Sequence, residues 1–135
     1  MKREIKFRGK STDTGKWVYG FLSFFYTAGK DKNGLILTDK AKIYSPEDCQ
    51  CSDIWAETVC QFSEITDKNG KGIFEHDIIL IHESESSYQF TVEVLFHKGM
   101  FCYRNKACGF TPLWYVSDRC EVIGNVFDNP ELLKG

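Results

Sequence analysis

Cysteines beside histidines, a carboxylate–imidazole run and carboxylates in glycine-containing loops are the side chains here whose types and spacing could do chemistry. Six cysteines (Cys49, Cys51, Cys60, Cys102, Cys108, Cys120) and three histidines (His76, His82, His97) could supply a thiolate–imidazole couple, in which a neighbouring base activates the thiol. Such pairs arise by chance in a chain this rich in both, and no Gly-x-Ser-x-Gly elbow, phosphate-binding loop or dinucleotide-binding turn accompanies them. Glu75-His76-Asp77 has the residue types of acid–base work. Neighbours along a strand face opposite sides, so only Glu75 and Asp77 would share a face, and a solvated start of a strand accounts for the run.

Metal chemistry fares no better. Structural zinc sites favour two cysteines separated by two to four residues, whereas this chain offers Cys49-x-Cys51, five residues between Cys102 and Cys108, and isolated Cys60 and Cys120. The quartet Asp-Lys-Asn-Gly occurs at Asp31–Gly34 and Asp67–Gly70 and looks like part of a calcium loop. Aligning Gly70 with the loop glycine puts Ile65 and His76 at the end positions, and aligning Gly34 puts Gly29 and Lys40 there, where carboxylates are required. The reading is no metal, no cofactor and no catalytic residue.

Aromatic side chains carry more weight. Trp17, Tyr19, Trp55, Trp114 and Tyr115, interleaved with Lys16, Arg104 and Lys106, could stack bases or hold a peptide; cross-strand packing in a core is the competing use of such rings. Trp114-Tyr115 is the pair expected at the surface, because adjacent strand residues cannot both point into one core. Binding candidates are therefore Lys16, Trp17, Tyr19, Arg104, Lys106, Trp114 and Tyr115.

The elements that must position these residues read as strands. Ile5–Arg8, Trp17–Tyr26, Leu35–Thr38, Ala41–Tyr44, Thr58–Phe62, Ile73–Ile81, Tyr88–His97, Met100–Arg104, Leu113–Val116 and Cys120–Val126 have strand character. The Asn-Gly steps predict hairpin turns of the kind in which both residues adopt positive φ. Phe90, Val92, Val94 and Phe96 alternate towards one face. Pro46–Ala56 reads as a loop or a single helical turn, and Asn129–Leu133 as a short terminal turn with Asn129 as cap and Pro130 first. No amphipathic helix of ten residues is present, which predicts an all-β barrel or sandwich.

At 135 residues the chain suits one domain. Its net charge is −2, unevenly spread. Residues 1–44 hold ten basic and four acidic side chains, 45–97 two and eleven, and 98–135 five and four. A basic start facing an acidic middle suits internal complementarity, and a pI near 5.9 argues against a dedicated nucleic-acid binder. No signal-peptide core or apolar span is found, so a reducing cytoplasm with free thiols is expected.

The blocks Ile5-Lys-Phe-Arg-Gly9, Gly15-Lys-Trp-Val-Tyr-Gly20, Thr58-Val-x-Gln-Phe62, Asp67-Lys-Asn-Gly-Lys71, Ile73-Phe-Glu-x-Asp-Ile78 and Val122-Ile-Gly-Asn-Val-Phe-Asp-Asn-Pro-Glu-Leu-Leu133 resemble the YopX family of phage and prophage proteins. The resemblance spans essentially the whole chain. It implies an SH3-like barrel with additional N-terminal β-hairpins and little helix, hairpins over about 1–56 and barrel over about 57–135 of a single domain. It carries no known reaction, and Asp67, Asn69, Gly70, Asp77, Gly124 and Asn125 would hold turns and strand junctions. Where the family has glycine this chain has Cys60 and His76, and Ser63-Glu-Ile65 replaces Thr-Gly-Leu; His76 tolerates positive φ better than most residues. The function expected is non-catalytic binding in a bacterial host, through a protein partner or self-association and without membrane contact; the alternatives are nucleic-acid contact through the basic N-terminal third and aromatics and, behind it, a thiol-based enzyme or zinc protein.

Overall fold

The computed structural model describes residues 3–83, 87–107 and 109–133. The chain folds as two compact units, Met1–Gln61 and Phe62–Gly135.

Unit one is antiparallel throughout. Strands β1 (Phe7–Lys10), β2 (Trp17–Asp31), β3 (Gly34–Ser45) and β4 (Gln50–Trp55) lie in the order β4-β3-β2-β1, and Cys60 and Gln61 of β5 (Cys60–Thr66) pair with β1. Ser11 sets the first hairpin, its Oγ accepting the N–H groups of Asp13 and Thr14 at 3.1 and 3.2 Å. Ala41, Ile43 and Ile54 form the buried centre, packed by Phe7, Val18, Leu22 and Phe25.

Two expectations change here. β3 is a single strand where the sequence suggests two, and β4 occupies a stretch with the composition of a loop. β4 is an edge strand on which only Ile54 is buried, so its polar composition hid a strand that needs one apolar anchor. The outer part of the β2–β3 hairpin extends past both neighbours. β1 pairs with β2 only up to Gly20 and β4 with β3 only from Lys40, leaving Phe24, Leu35, Ile36 and Leu37 exposed.

Unit two holds β6 (Gly72–Phe74), β7 (Asp77–His82), β8 (Gln89–Glu93), β9 (Leu95–His97), β10 (Met100–Asn105), β11 (Gly109–Pro112) and β12 (Cys120–Asn125). β12-β7-β8 and β11-β10-β9 form two three-stranded antiparallel sheets. Ile73, Ile79, Ile81, Val94, Tyr103, Leu113, Val116 and Cys120 make the core. All-β holds; a closed barrel does not. Among the described residues no ladder joins the two sheets, because the chain passes between them at a corner. Val94 belongs to neither β8 nor β9, and exchanges hydrogen bonds with His76 and Asp77 at 2.8 Å. Strands that switch sheets at such bends make the corners of packed sheets. Val94 is buried, whereas Phe96, expected on the same face, is 49% exposed because it lies beyond the corner.

The segment that reads as one strand over Ile73–Ile81 is broken at Glu75-His76, where His76 takes φ 69°. Glu64, where the resemblance likewise implies glycine, takes φ 68°, so positive φ is adopted at both positions without glycine. The segment that reads as a strand over Leu113–Val116 is instead a 3-10 turn, Leu113–Tyr115. Leu113 and Val116 are both buried, a spacing of three that matches a 3-10 period. Leu132 N–H donates to the Asn129 carbonyl at the start of the terminal 3-10 turn Pro130–Leu133.

Neither Asn-Gly step forms the expected double positive-φ turn. In both quartets the aspartate Oδ1 accepts the asparagine N–H, at 2.8 Å in Asp31–Gly34 and 2.9 Å in Asp67–Gly70, and only the glycine takes positive φ. An Asx turn does the work. In the second quartet Asp67 reaches further: Oδ1 also accepts Lys71 N–H, and Oδ2 accepts Val122 N–H of β12, each at 2.9 Å. Burial pushes the Asp67 carboxyl up, but the N–H groups of Val122, Lys71 and Asn69 and the Lys71 charge outweigh it, holding it below its ordinary value. A depressed carboxylate contributes stability above its unfolded pKa, and that contribution is lost as pH falls through the folded value. Asp67→Ala is therefore expected to cost about 3 kcal/mol at neutral pH, measured by urea unfolding. The wild type should lose the charge-dependent part of this increment as pH falls below about 4 and through the folded value, while Asp67→Ala should show a flatter acid limb; equal acid limbs would contradict the assignment.

Candidate functional site

In unit one the hairpin register places Lys10 opposite Trp17 and Arg8 opposite Tyr19. Directly opposed residues share a face of the sheet, so two cations and two rings alternate on one face, with Arg8 buried and Lys10, Trp17 and Tyr19 at least partly exposed. The Arg8 guanidinium carbon lies 4.4 Å from the Trp17 ring centre and Lys10 Nζ lies 5.4 Å from it, within cation–π range. Lys16, at the start of this strand, is exposed. Beyond Tyr19 a cleft of about 480 Å³ is lined by Arg3, Lys6, Tyr19, Phe21 and Glu47.

In unit two, Arg104 and Lys106 line a cleft of about 360 Å³ with Tyr88, Phe90 and Tyr103. Tyr88 stacks on Phe90 at 5.8 Å, and Phe90 meets Tyr103 at 6.2 Å. Trp114 and Tyr115 stand 69% and 51% exposed, their rings near-parallel with centres 6.1 Å apart. They belong to a 3-10 turn, so strand alternation is not what exposes them; the buried Leu113 and Val116 on either side leave them the outer positions. Their cation is Arg119, whose guanidinium lies 5.1 Å from the Tyr115 ring and donates to the Tyr115 carbonyl at 3.1 Å.

The seven binding candidates thus fall into three places: Lys16, Trp17 and Tyr19 on the β1–β2 face; Arg104 and Lys106 in the β8–β10 cleft; Trp114 and Tyr115 on the 3-10 turn. Sequence reasoning missed Arg8, Lys10, Tyr88 and Arg119 as members. A turn centred on Asp13-Thr-Gly15 would set Lys10 opposite Val18 and Arg8 opposite Gly20, one residue off the observed register, so the sequence does not place the first two beside the rings.

The acidic and amide residues are engaged in backbone. Asp77 is 2% exposed and its Oδ2 accepts Phe74 N–H at 2.8 Å, so it turns inward rather than sharing a solvated face with Glu75. His76 Nδ1 lies 2.8 Å from Glu93 Oε2. Asn125 Oδ1 accepts the N–H groups of Phe127 and Asp128 at 3.0 and 2.9 Å. A Cβ on Gly124 would come within 2.5 Å of Asn129 Oδ1, so that close approach requires glycine. Asn129 Oδ1 faces back to the Asn125 N–H at 3.3 Å.

Among the described residues no group of three or more His, Cys, Asp or Glu side chains is arranged to hold a metal ion. Cys49 and Cys51 are exposed free thiols; Cys60, Cys102 and Cys120 are buried free thiols, and Cys108 lies outside the described residues. Burial, with the charges of Asp67 and Asp118, pushes the Cys120 thiol up to about 11, and burial also raises Cys102.

These features define an antiparallel, all-β protein of two compact units, with side-chain-capped turns and aromatic–cation clusters at its surface. The chain belongs to the YopX family, matching the YopX protein over residues 6–134, as its sequence blocks implied. Among solved structures it is similar to protein EF1440 from Enterococcus faecalis, at 25% identity over 98% of this chain and 99% of that one, with a TM-score of 0.56. It is also similar in fold to yopX from Bacillus subtilis, at 21% identity over 95% and 97%, with a TM-score of 0.60. No curated protein matches.

A buried thiol with a raised pKa is a poor nucleophile. In a Cys108→Ser variant, Cys49 and Cys51 are expected to react rapidly with a disulfide reagent, and Cys60, Cys102 and Cys120 only after unfolding. Mass mapping of the modified peptides checks this, and fast labelling of Cys120 in the folded protein would refute it.

Proposed function

We propose that this member of the YopX family is a non-catalytic binding module, of phage or prophage origin, that acts in the bacterial cytoplasm by contacting a protein, self-association included. The observation that carries the reading is the Trp114–Tyr115–Arg119 cluster. Trp, Tyr and Arg dominate the energetic centres of protein interfaces, and here the two rings stand outward on a turn anchored by buried Leu113 and Val116. A pre-positioned aromatic pair loses little conformational freedom on docking, which lowers the cost of association. Phage origin is supported by the family resemblance. The cytoplasmic reading is supported by five described thiols that are all free; among the described residues no helix is long and apolar enough to cross a membrane. A second reading, nucleic-acid contact, is favoured by the cation–ring alternation of Arg8, Lys10, Trp17 and Tyr19.

The test compares wild type with a Trp114→Ala/Tyr115→Ala variant, by sedimentation for self-association and by affinity capture from nuclease-treated host lysate. Wild type is expected to self-associate or to retain a discrete protein. The variant, folded by circular dichroism, should weaken that contact by a factor of about 30 or more, the effect of losing at least one interface centre. A wild type that neither self-associates nor retains a protein, or a variant that binds equally well, would overturn the proposal.

A further inference from the structure

We infer that the β1–β2 face of unit one is a binding site for single-stranded nucleic acid. The inference shares the binding reading above but does not use the Trp114–Tyr115 surface. It starts from the register that sets Lys10 against Trp17 and Arg8 against Tyr19. Arg8, itself buried, holds the Trp17 ring from 4.4 Å, and the partly exposed Lys10, 5.4 Å from the same ring, sets positive charge beside whatever stacks nearby.

Same-side residues of a strand are about 6.6–6.8 Å apart, a step that one nucleotide of an extended single strand can span. Tyr19 and Phe21, one such step apart on β2 and 47% and 52% exposed, are thus spaced to receive successive bases. The cleft of about 480 Å³ at this end brings Arg3 and Lys6, together with Glu4 and Glu47, beside the same two rings, and phosphates would lie against its two cations. Lys6 pairs with Glu4 at 2.9 Å, an exposed pair that a phosphate can displace at little cost.

Charge agrees: residues 3–21 hold five basic and two acidic side chains. The acidic pI of the whole chain does not oppose this, because a ligand responds to the local field. Stacking on an open sheet face needs unpaired bases, which selects single strands over duplex. An acidic peptide would use the cations but leave the rings without a role.

The probes are fluorescein-labelled oligothymidylate and oligouridylate of about twelve nucleotides, followed by anisotropy between 50 and 200 mM salt. Both are expected to bind, with log K falling against log salt at a slope of about −2, as about three phosphate contacts on a single strand would give. Tyr19→Ala should weaken binding about tenfold, within the range of one lost stacking contact, and leave the slope unchanged. Lys10→Gln should make the slope shallower by about 0.7. Should Tyr19→Ala fail to fold, Phe21→Ala carries the same expectation. Trp114→Ala/Tyr115→Ala should bind like wild type, so failure of the protein-contact reading would leave this result untouched. No binding at the lower salt, a duplex or polyglutamate competing as well as the single strand, or unaltered affinity in a folded ring variant would overturn the inference.

Discussion

A chain of short antiparallel strands reverses direction every few residues, and each reversal leaves backbone N–H groups that need acceptors once water is gone. In unit two one carboxylate meets much of that demand. Asp67 closes its own turn through one oxygen and holds β12 through the other, while Lys68 N–H binds the Cys120 carbonyl at the start of the same strand. β12 pairs with β7 from Cys120 opposite Ile81 to Asn125 opposite Asp77, with one register shift between Val122 and Gly124. At that end Asp77 caps the β6–β7 turn and, with His76, takes up the backbone of Val94 at the corner between the sheets. One buried anion, held ionised by its hydrogen bonds, therefore ties β12 to the turn before β6, and β12 in turn pairs with β7, whose first residue helps hold the corner.

This economy explains the distribution of chemistry. The side chains best suited to catalysis are occupied: Asp67, Asp77 and Asn125 by backbone donors, and Cys60, Cys102 and Cys120 by burial. Asp67 also discourages ionisation of Cys120, so the group that locks β12 in place helps silence the thiol on it. Cys49 and Cys51 remain outward, and so do aromatic and cationic groups in clusters fixed by hairpin register on the β1–β2 face and by a 3-10 turn at Trp114–Tyr115.

Much of the fold is legible in the sequence because turn chemistry is local. The positions of both quartet turns, though not their Asx geometry, the Lys98-Gly99 reversal between His97 and Met100, and the strand character of Phe90–Val94 follow from neighbours a few positions apart. Features set by distant partners are not. β4 looks like loop because an edge strand tolerates polar residues on nearly every position, and alternation alone turns Phe96 inward because nothing local announces the corner at Val94. The Leu113–Val116 spacing of three is visible but suits a strand end as well as a 3-10 turn. For the surfaces, Trp114 and Tyr115 stand out, while Arg119 does not, because its partnership depends on two successive 3-10 turns, Leu113–Tyr115 and Ser117–Arg119.

The overhang of the β2–β3 hairpin has a consequence for how this protein can be handled. Two strands with open flanks and apolar residues such as Leu35 and Leu37, 67% and 57% exposed, are a natural seed for intermolecular strand addition. Three register shifts along β2–β3 spoil its flatness, and Lys30, Lys32 and Lys40 discourage a close neighbour. Crowding, or neutralising those lysines by acetylation, would strip part of that guard, making the hairpin tip the place where fibrils begin.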